Sequence, residues 1–97
     1  MITARVHRVG RETVVAACDK DLIGKVLRDG ELRLEVASSF YEGEDVDEEK
    51  LLSRLSLATI ANLVGHRTIS IAAKHNYINE DCVLMIAGVP HAQMVKM

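Results

Sequence analysis

The segment ITARVHRVGRETVVAAC, residues 2–18, predicts two β-strands joined by a tight turn. Apolar and polar side chains alternate from Ile2 to Val9, which is the period of a strand with one buried face. Gly10-Arg11-Glu12 is a short polar break, and Thr13 to Cys18 is a second run suited to a strand. Because the connection is short, we expect the two strands to pair antiparallel.

Further strands are expected downstream of this hairpin. Gly24 to Leu27 predicts a short strand, and Asp29-Gly30 is a dipeptide typical of tight turns. Alternation then predicts a strand from Glu31 to Ala37, because Leu32, Leu34 and Val36 would share one face. Residues 38–45 are expected to form a loop.

A long helix is predicted after this loop. Asp45 or Asp47 can cap its start, and Gly65 is a suitable stop just after Leu63 or Val64. Beyond Leu55 the apolar residues are not confined to one stripe. Such a helix is buried on more than one side, so it either lies centrally in the domain or forms an interface in a homo-oligomer.

The last third of the chain predicts a short helix followed by a hairpin. Thr68–Asn76 begins with a strand-like alternation and continues with a helical pattern, and we favour the helix. Val83 to Ala87 predicts a strand, Gly88 to His91 a turn, and Ala92 to Met97 the closing strand.

Strands at both ends of the chain, with helices between them, predict an α+β fold. We expect a mainly antiparallel sheet, formed by the N-terminal strands and the C-terminal hairpin, that packs on one long and one short helix. Residues 1–97 would form a single α+β domain.

Composition excludes several classes of protein. Hydrophobic residues are 48% of the 97 residues and charged residues 27%, which is typical of a globular chain. No apolar run reaches the ~20 residues that cross a bilayer, so we expect a cytoplasmic protein without a membrane partner. Cys18 and Cys82 are expected to be reduced and buried, and the alternative is a disulfide between them.

Charge is distributed unevenly along the chain. The net charge of −2 divides into +2 over residues 1–33, −6 over residues 34–50 and +2 over residues 51–97. This profile argues against strong non-specific binding to nucleic acid. Arg5, His7, Arg11 and Lys25 are candidates for a local basic patch. The simpler interpretation is that they are ordinary exposed charges of strands.

Four blocks of sequence carry a family resemblance. They are Cys18–Lys25, Phe40–Glu44, Asn62–His66 and Gly88–Gln93. In this order and spacing, the chain resembles the archaeal family known as domain of unknown function 424 over nearly its whole length. The resemblance implies a cytoplasmic, stand-alone α+β protein without an established activity, and it favours an association with translation.

The strongest candidate site is the segment that holds Pro90, His91 and Gln93. Pro90 restricts the backbone, His91 can exchange a proton near neutral pH, and Gln93 offers both a donor and an acceptor. These groups suit acid–base chemistry or the binding of a ligand. The alternative is a hairpin turn whose polar side chains bond to nearby backbone.

Three more residues are candidates for binding a ligand or partner. Asn62 lies in an apolar run and needs a hydrogen-bond partner, while Asp19 follows a predicted strand. Tyr41 belongs either to an exposed recognition loop or to the packing at the start of the helix. No spacing of His or Cys predicts a metal site, and no motif predicts a cofactor.

Two functions therefore remain open. The leading hypothesis is a non-enzymatic binding or accessory module that acts with RNA or with a translation-related protein. The alternative is a small enzyme or ligand-binding protein in which His91 is the acid–base group and Gln93 orients the ligand. If Asp19, Asn62, His91 and Gln93 converge on one cleft, that alternative gains weight.

Overall fold

The computed structural model describes residues 1–96 and contains a six-stranded sheet, a two-stranded hairpin and three α-helices. The strands and helices, in chain order within each class, are β1 (Ile2–Val9), β2 (Glu12–Asp19), β3 (Val26–Asp29), β4 (Leu32–Glu35), β5 (Glu44–Val46), β6 (Ile60–Val64), β7 (Leu84–Ile86), β8 (Val89–Val95), α1 (Ser38–Tyr41), α2 (Glu48–Leu57) and α3 (His66–Lys74).

The large sheet has the strand order β5-β1-β2-β6-β8-β7. Every neighbouring pair is antiparallel except β2 and β6, which run parallel. A parallel pair needs a long crossover connection, and here the residues between Asp19 and Ile60 supply it. The predicted α+β fold with a mainly antiparallel sheet is confirmed.

The N-terminal hairpin forms as predicted. β1 and β2 pair antiparallel from Ile2 opposite Asp19 to Val9 opposite Glu12. Gly10, at the turn, has a φ of 60°, a conformation that glycine adopts without steric cost. The period of two in this segment therefore predicted both strands and their pairing.

The segment after α2 contradicts the prediction of one long helix. α2 ends at Leu57, and Ile60–Val64 is the strand β6, paired with β2 on one side and β8 on the other. Four of the five residues of this central strand are apolar, a pattern that a buried helix shares. The β-branched pair Thr59-Ile60 was the available sign of a strand.

α2 itself is amphipathic and starts where expected. The Asp47 carboxylate accepts the N–H of Lys50 at 2.8 Å, so the predicted cap is confirmed. Leu51 and Leu55 are fully buried, whereas Leu57 is 64% exposed. The helix therefore buries one face only, and the prediction that it is buried on more than one side was wrong.

α3 confirms the helical choice for the ambiguous segment, although it begins two residues earlier than Thr68. Ile69 and Ala72 of α3 are buried against the sheet. Gly65, predicted to end the long helix, instead connects β6 to α3.

The closing hairpin turns earlier than predicted. Its turn is Ala87-Gly88, both with positive φ, at 52° and 79°, as in a two-residue type I′ turn. Pro90 and His91 therefore lie inside β8, and the prediction that they belong to the turn was wrong. The predicted end of this strand at Met97 lies outside the described residues.

The prediction of a loop over residues 38–45 was also wrong. It contains α1 and the start of β5, which pairs with β1 at the edge of the sheet. The loop between α1 and β5 is held close to β1, since Gly43 N–H donates to Thr3 Oγ1 at 2.9 Å. β3 and β4 pair as the hairpin that Asp29-Gly30 predicted.

Two cores lie on opposite faces of the sheet. α2 and α3 cover one face, over a core that includes Val15, Ala17 and Leu63. The β3–β4 hairpin and α1 cover one end of the other face, over Cys18 and Val64.

None of the described helices is long and apolar enough to cross a bilayer. Both cysteines are free thiols, with Cys18 buried and Cys82 exposed. The prediction of two buried thiols therefore holds for Cys18 alone.

Candidate functional site

Part of the second face of the sheet is left uncovered. Because side chains alternate along a strand, the register places every second residue of β1, β2, β6 and β8 on this face. We call the uncovered part the open face and define it by Arg5, His7, Val14, Ile60, Asn62, Gln93 and Val95. All seven side chains are exposed or half-buried.

The open face consists of two rows across the strands. One row is His7, Val14, Ile60 and Val95, and it is aliphatic except at the His7 end. The other row is Arg5, Ala16, Asn62 and Gln93, in which Ala16 is buried. The face thus has the Arg5 guanidinium and the His7 imidazole at the β1 side and the amides of Asn62 and Gln93 at the β6–β8 side.

The two amides are bonded to each other. Gln93 Nε2 donates to Asn62 Oδ1 at 2.7 Å across the β6–β8 pair. Each amide has a donor and an acceptor, so this bond leaves the Asn62 NH₂ group and the Gln93 carbonyl oxygen for a ligand. If both amides were turned over, the pair would still present one donor and one acceptor.

His7 is held at the other end of the aliphatic row. Its ring stacks on Phe40, with 4.9 Å between ring centroids and 15° between planes. His7 Nε2–H donates to the backbone oxygen of Phe40 at 2.8 Å, which fixes the ring in this orientation. His7 is half-buried, so one face of the imidazole lies on Phe40 while part of the ring stays accessible.

His91 shares this side of the sheet but lies one row further on. It pairs with Val64 and Leu84, next to the second core, and is half-buried. Burial lowers the pKa of His91, because the charged imidazolium loses solvation. Its partners in the register are apolar, so no second acid–base group stands directly opposite it.

Asp19 lies on the helix-covered face, apart from these residues. Its carboxylate accepts Thr68 N–H and Thr68 Oγ1–H, both at 2.9 Å, and Arg67 N–H at 3.1 Å. Asp19 therefore caps the start of α3. A β-carbon at Gly65, whose φ is 108°, would overlap this carboxylate.

Two further candidates are buried. Tyr41 is 3% exposed, and burial followed by the charge of Cys18 raises its pKa to about 12. It therefore anchors α1 and is not displayed as a recognition residue. Pro90 points to the opposite face from His91, and its backbone oxygen accepts Gly65 N–H at 2.9 Å.

The expected basic patch is divided. Arg5 and His7 lie on the open face, and Arg11 lies in the turn between β1 and β2. Lys25 lies beyond the opposite end of β2, just before β3, and its backbone oxygen accepts Val36 N–H at 2.8 Å. Arg5, His7 and Arg11 therefore belong to the β1–β2 hairpin, and Lys25 belongs to the segment that leads into the β3–β4 hairpin.

The structure brings together Asn62, His91 and Gln93 on one side of the sheet and leaves out Asp19, Tyr41 and Pro90. Sequence reasoning missed the aliphatic row, because Ile60 was assigned to a helix. No group of three or more His, Cys, Asp or Glu side chains suited to hold a metal occurs among residues 1–96.

The fold and this face define a class: a small α+β domain in which α2 and α3 cover one face of a mixed sheet and part of the other face is left open. The chain belongs to the family described as "Protein of unknown function (DUF424)", whose model matches residues 7–97. The family resemblance is thereby confirmed.

A solved structure shares the fold. The crystal structure of an uncharacterized conserved protein from Methanopyrus kandleri superposes with a TM-score of 0.82 at 23% sequence identity. The match covers 99% of this chain and 93% of that chain. At this identity the likeness establishes the fold and assigns no function. No curated protein matches the sequence.

Proposed function

We propose that this protein is a non-enzymatic binding module whose open face holds single-stranded RNA. The observation that carries the proposal is the position of Arg5, the stacked His7 ring and the Asn62–Gln93 amide pair on one uncovered sheet face. Sequence-tolerant single-strand binding uses basic groups for the backbone and stacking surfaces for the bases.

The arginines of the β1–β2 hairpin are available for phosphates. Arg5 and Arg11 are exposed, and neither has a carboxylate partner within 4.0 Å among residues 1–96. Among residues 5–12, Glu12 is the one acidic residue. A local basic arm therefore exists on a chain whose net charge is negative, and a phosphate backbone would complement it.

The His7 ring supplies a stacking surface. Phe40 supports one side of the imidazole, so its accessible side can receive a base without moving the ring. Stacking on an aromatic side chain contributes about 1–3 kcal/mol per base in single-strand binding. A single such surface fits a short contact of a few nucleotides.

The amide pair supplies hydrogen bonds to a base edge. The unused donor of Asn62 and the unused acceptor of Gln93 lie side by side. Base edges that are exposed in single strands present matching acceptors and donors, whereas the deep major groove of duplex RNA hides most of them. This favours a single strand over a duplex.

A protein partner is a second candidate, and the aliphatic row favours it. Val95 is 60% exposed, and Val14 and Ile60 are half-buried beside it. Exposed aliphatic side chains with a polar rim are typical of protein interfaces. In that case the translation-related partner would be a protein, and its co-purification with this chain would survive nuclease treatment.

Salt-dependent binding tests the RNA proposal. A labelled single-stranded RNA of mixed sequence is titrated by fluorescence anisotropy at several salt concentrations. For the double variant Arg5→Gln/Arg11→Gln, the slope of log K against log salt should fall by about 0.7 for each phosphate that the variant no longer neutralises.

The matched control removes two charges elsewhere. Lys25→Gln/Arg28→Gln makes the same change in net charge at the far end of β2 and on β3. It should bind as the unmodified protein does. An absence of binding at low salt, or equal losses of affinity in both double variants, would refute the proposal.

A further inference from the structure

A groove of about 700 Å³ opens on the helix-covered side of the sheet, away from the open face. It lies between the start of α3 and the segment that joins β5 to α2, and its floor includes Ile2, Val46 and Ile71. This volume falls within the usual range for sites that hold small molecules. RNA binding on the open face leaves the groove unexplained.

The acidic wall of the groove is engaged within the protein. Asp45 pairs with Lys20 at 2.8 Å, and Glu48 accepts His75 Nε2–H at 3.0 Å. Asp47 accepts a backbone N–H at the start of α2. These carboxylates are therefore not free to pair with a cationic ligand, yet their charge still opposes a second negative charge in the groove.

The opposite wall offers an unengaged cation. Arg67 is exposed, and no carboxylate lies within 4.0 Å of its guanidinium in the part of the chain that the structure describes. Ser70 and Ile71 lie three and four residues further along α3, so they share a helix face with Arg67. The neighbouring His66 ring donates to Gly88 O at 3.0 Å and is already bonded.

We infer that this groove binds a free aliphatic monocarboxylate. Its carboxylate would pair with the Arg67 guanidinium, whose planar donors match that group, and Ser70 could add a hydroxyl donor. Its alkyl chain would lie over Ile71 and the aliphatic floor. The acidic wall repels a phosphate dianion about twice as strongly as a carboxylate, which carries one charge.

A free acid fits the floor better than a peptide does. The three floor side chains are hydrocarbon and offer no partner to the amide groups of a peptide backbone. A buried amide without a hydrogen bond is costly, whereas an alkyl chain gains from the same surroundings.

Octanoate is the probe, measured by ¹H–¹⁵N NMR titration of the whole chain. We expect chemical-shift changes at Ile2, Val46 and Ile71. Arg67→Gln should weaken binding about two- to fivefold, the usual consequence of losing an exposed ion pair. Arg28→Gln, an exposed arginine on β3, is the matched control and should leave the affinity unchanged.

Three outcomes would overturn the inference. They are an absence of shifts up to the solubility limit of octanoate, equal binding of octanol, and tighter binding of an N-acetylated peptide that ends in leucine. The spectrum of the Arg67→Gln variant reports directly whether it is folded. Arg67 lies off the open face, so the Arg67→Gln variant should bind RNA as the unmodified protein does. The octanoate test and the RNA test can therefore fail separately.

Discussion

Replacing Asp19 should destabilise the protein more than replacing any other exposed or half-buried carboxylate described above. The Asp19 side chain joins the end of β2 to the start of α3 by accepting three hydrogen bonds, two of them from Thr68. Thr68 is fully buried, so its N–H and hydroxyl cannot turn to water when the carboxylate is removed.

The magnitude follows from these contacts. Loss of a helix cap costs about 0.5–2 kcal/mol. Leaving a buried donor without a partner costs about 1–3 kcal/mol. We therefore expect Asp19→Ala to lower the free energy of unfolding by about 3 kcal/mol. Asp19→Asn retains one acceptor oxygen and should lose about half as much.

Thermal and urea unfolding of the purified variants measure the effect. At about 4–8 °C per kcal/mol, Asp19→Ala should unfold roughly 15 °C below the unmodified protein. Asp21→Ala is the matched control, because this neighbouring exposed carboxylate makes no hydrogen bond or ion pair among residues 1–96. A loss of less than about 0.5 kcal/mol for Asp19→Ala, within the range of ordinary surface changes, would refute the reasoning.

Three shorter predictions concern other parts of the chain. A hydrogen bond from Arg54, helped by its charge, holds the pKa of Glu44 below its usual 4.5. The stability that Glu44→Gln removes should therefore be present above pH 4.5 and vanish as pH falls through the lowered value, measured by urea unfolding across pH. Burial raises the pKa of Cys18 to about 12, so a thiol reagent at pH 8 should modify Cys82 alone until denaturant is added. Ala87 adopts a positive φ, and Ala87→Asn should raise the unfolding free energy by about 0.5–1 kcal/mol, because asparagine accepts this conformation more readily. Unchanged or lower stability of that variant would show that the turn is not strained.

Local patterns predicted much of the fold. The alternation of residues 2–9 predicted β1, and Asp29-Gly30 predicted the β3–β4 turn. Both features depend on neighbouring residues, which sequence displays directly. The side chain of Asp47 likewise caps α2, since a cap acts within three residues.

β6 was not predictable in the same way. It lies between β2 and β8, Ala61 and Leu63 pack in the core beneath the helices, and Val64 packs in the second core, so its burial comes from the whole fold. The prediction of one long helix therefore assigned Asn62 to a helix, although it lies in a strand. Its pairing with Gln93, which is 31 residues away, could not be derived from spacing.

The candidate site was predicted only in part, for the same reason. Sequence indicated His91, Gln93, Asn62 and Arg5 as separate polar residues, and register places them on one side of the sheet. Asp19 looked equally suitable in sequence, but one position of alternation along β2 puts it on the other face.

The most direct test of the account is an NMR titration of ¹⁵N-labelled protein with a short single-stranded RNA at low salt. The account predicts that chemical-shift changes concentrate at Arg5, His7, Asn62 and Gln93. They should weaken together as salt is raised. Changes confined to the helix-covered face, or none at any ratio of RNA to protein, would contradict it.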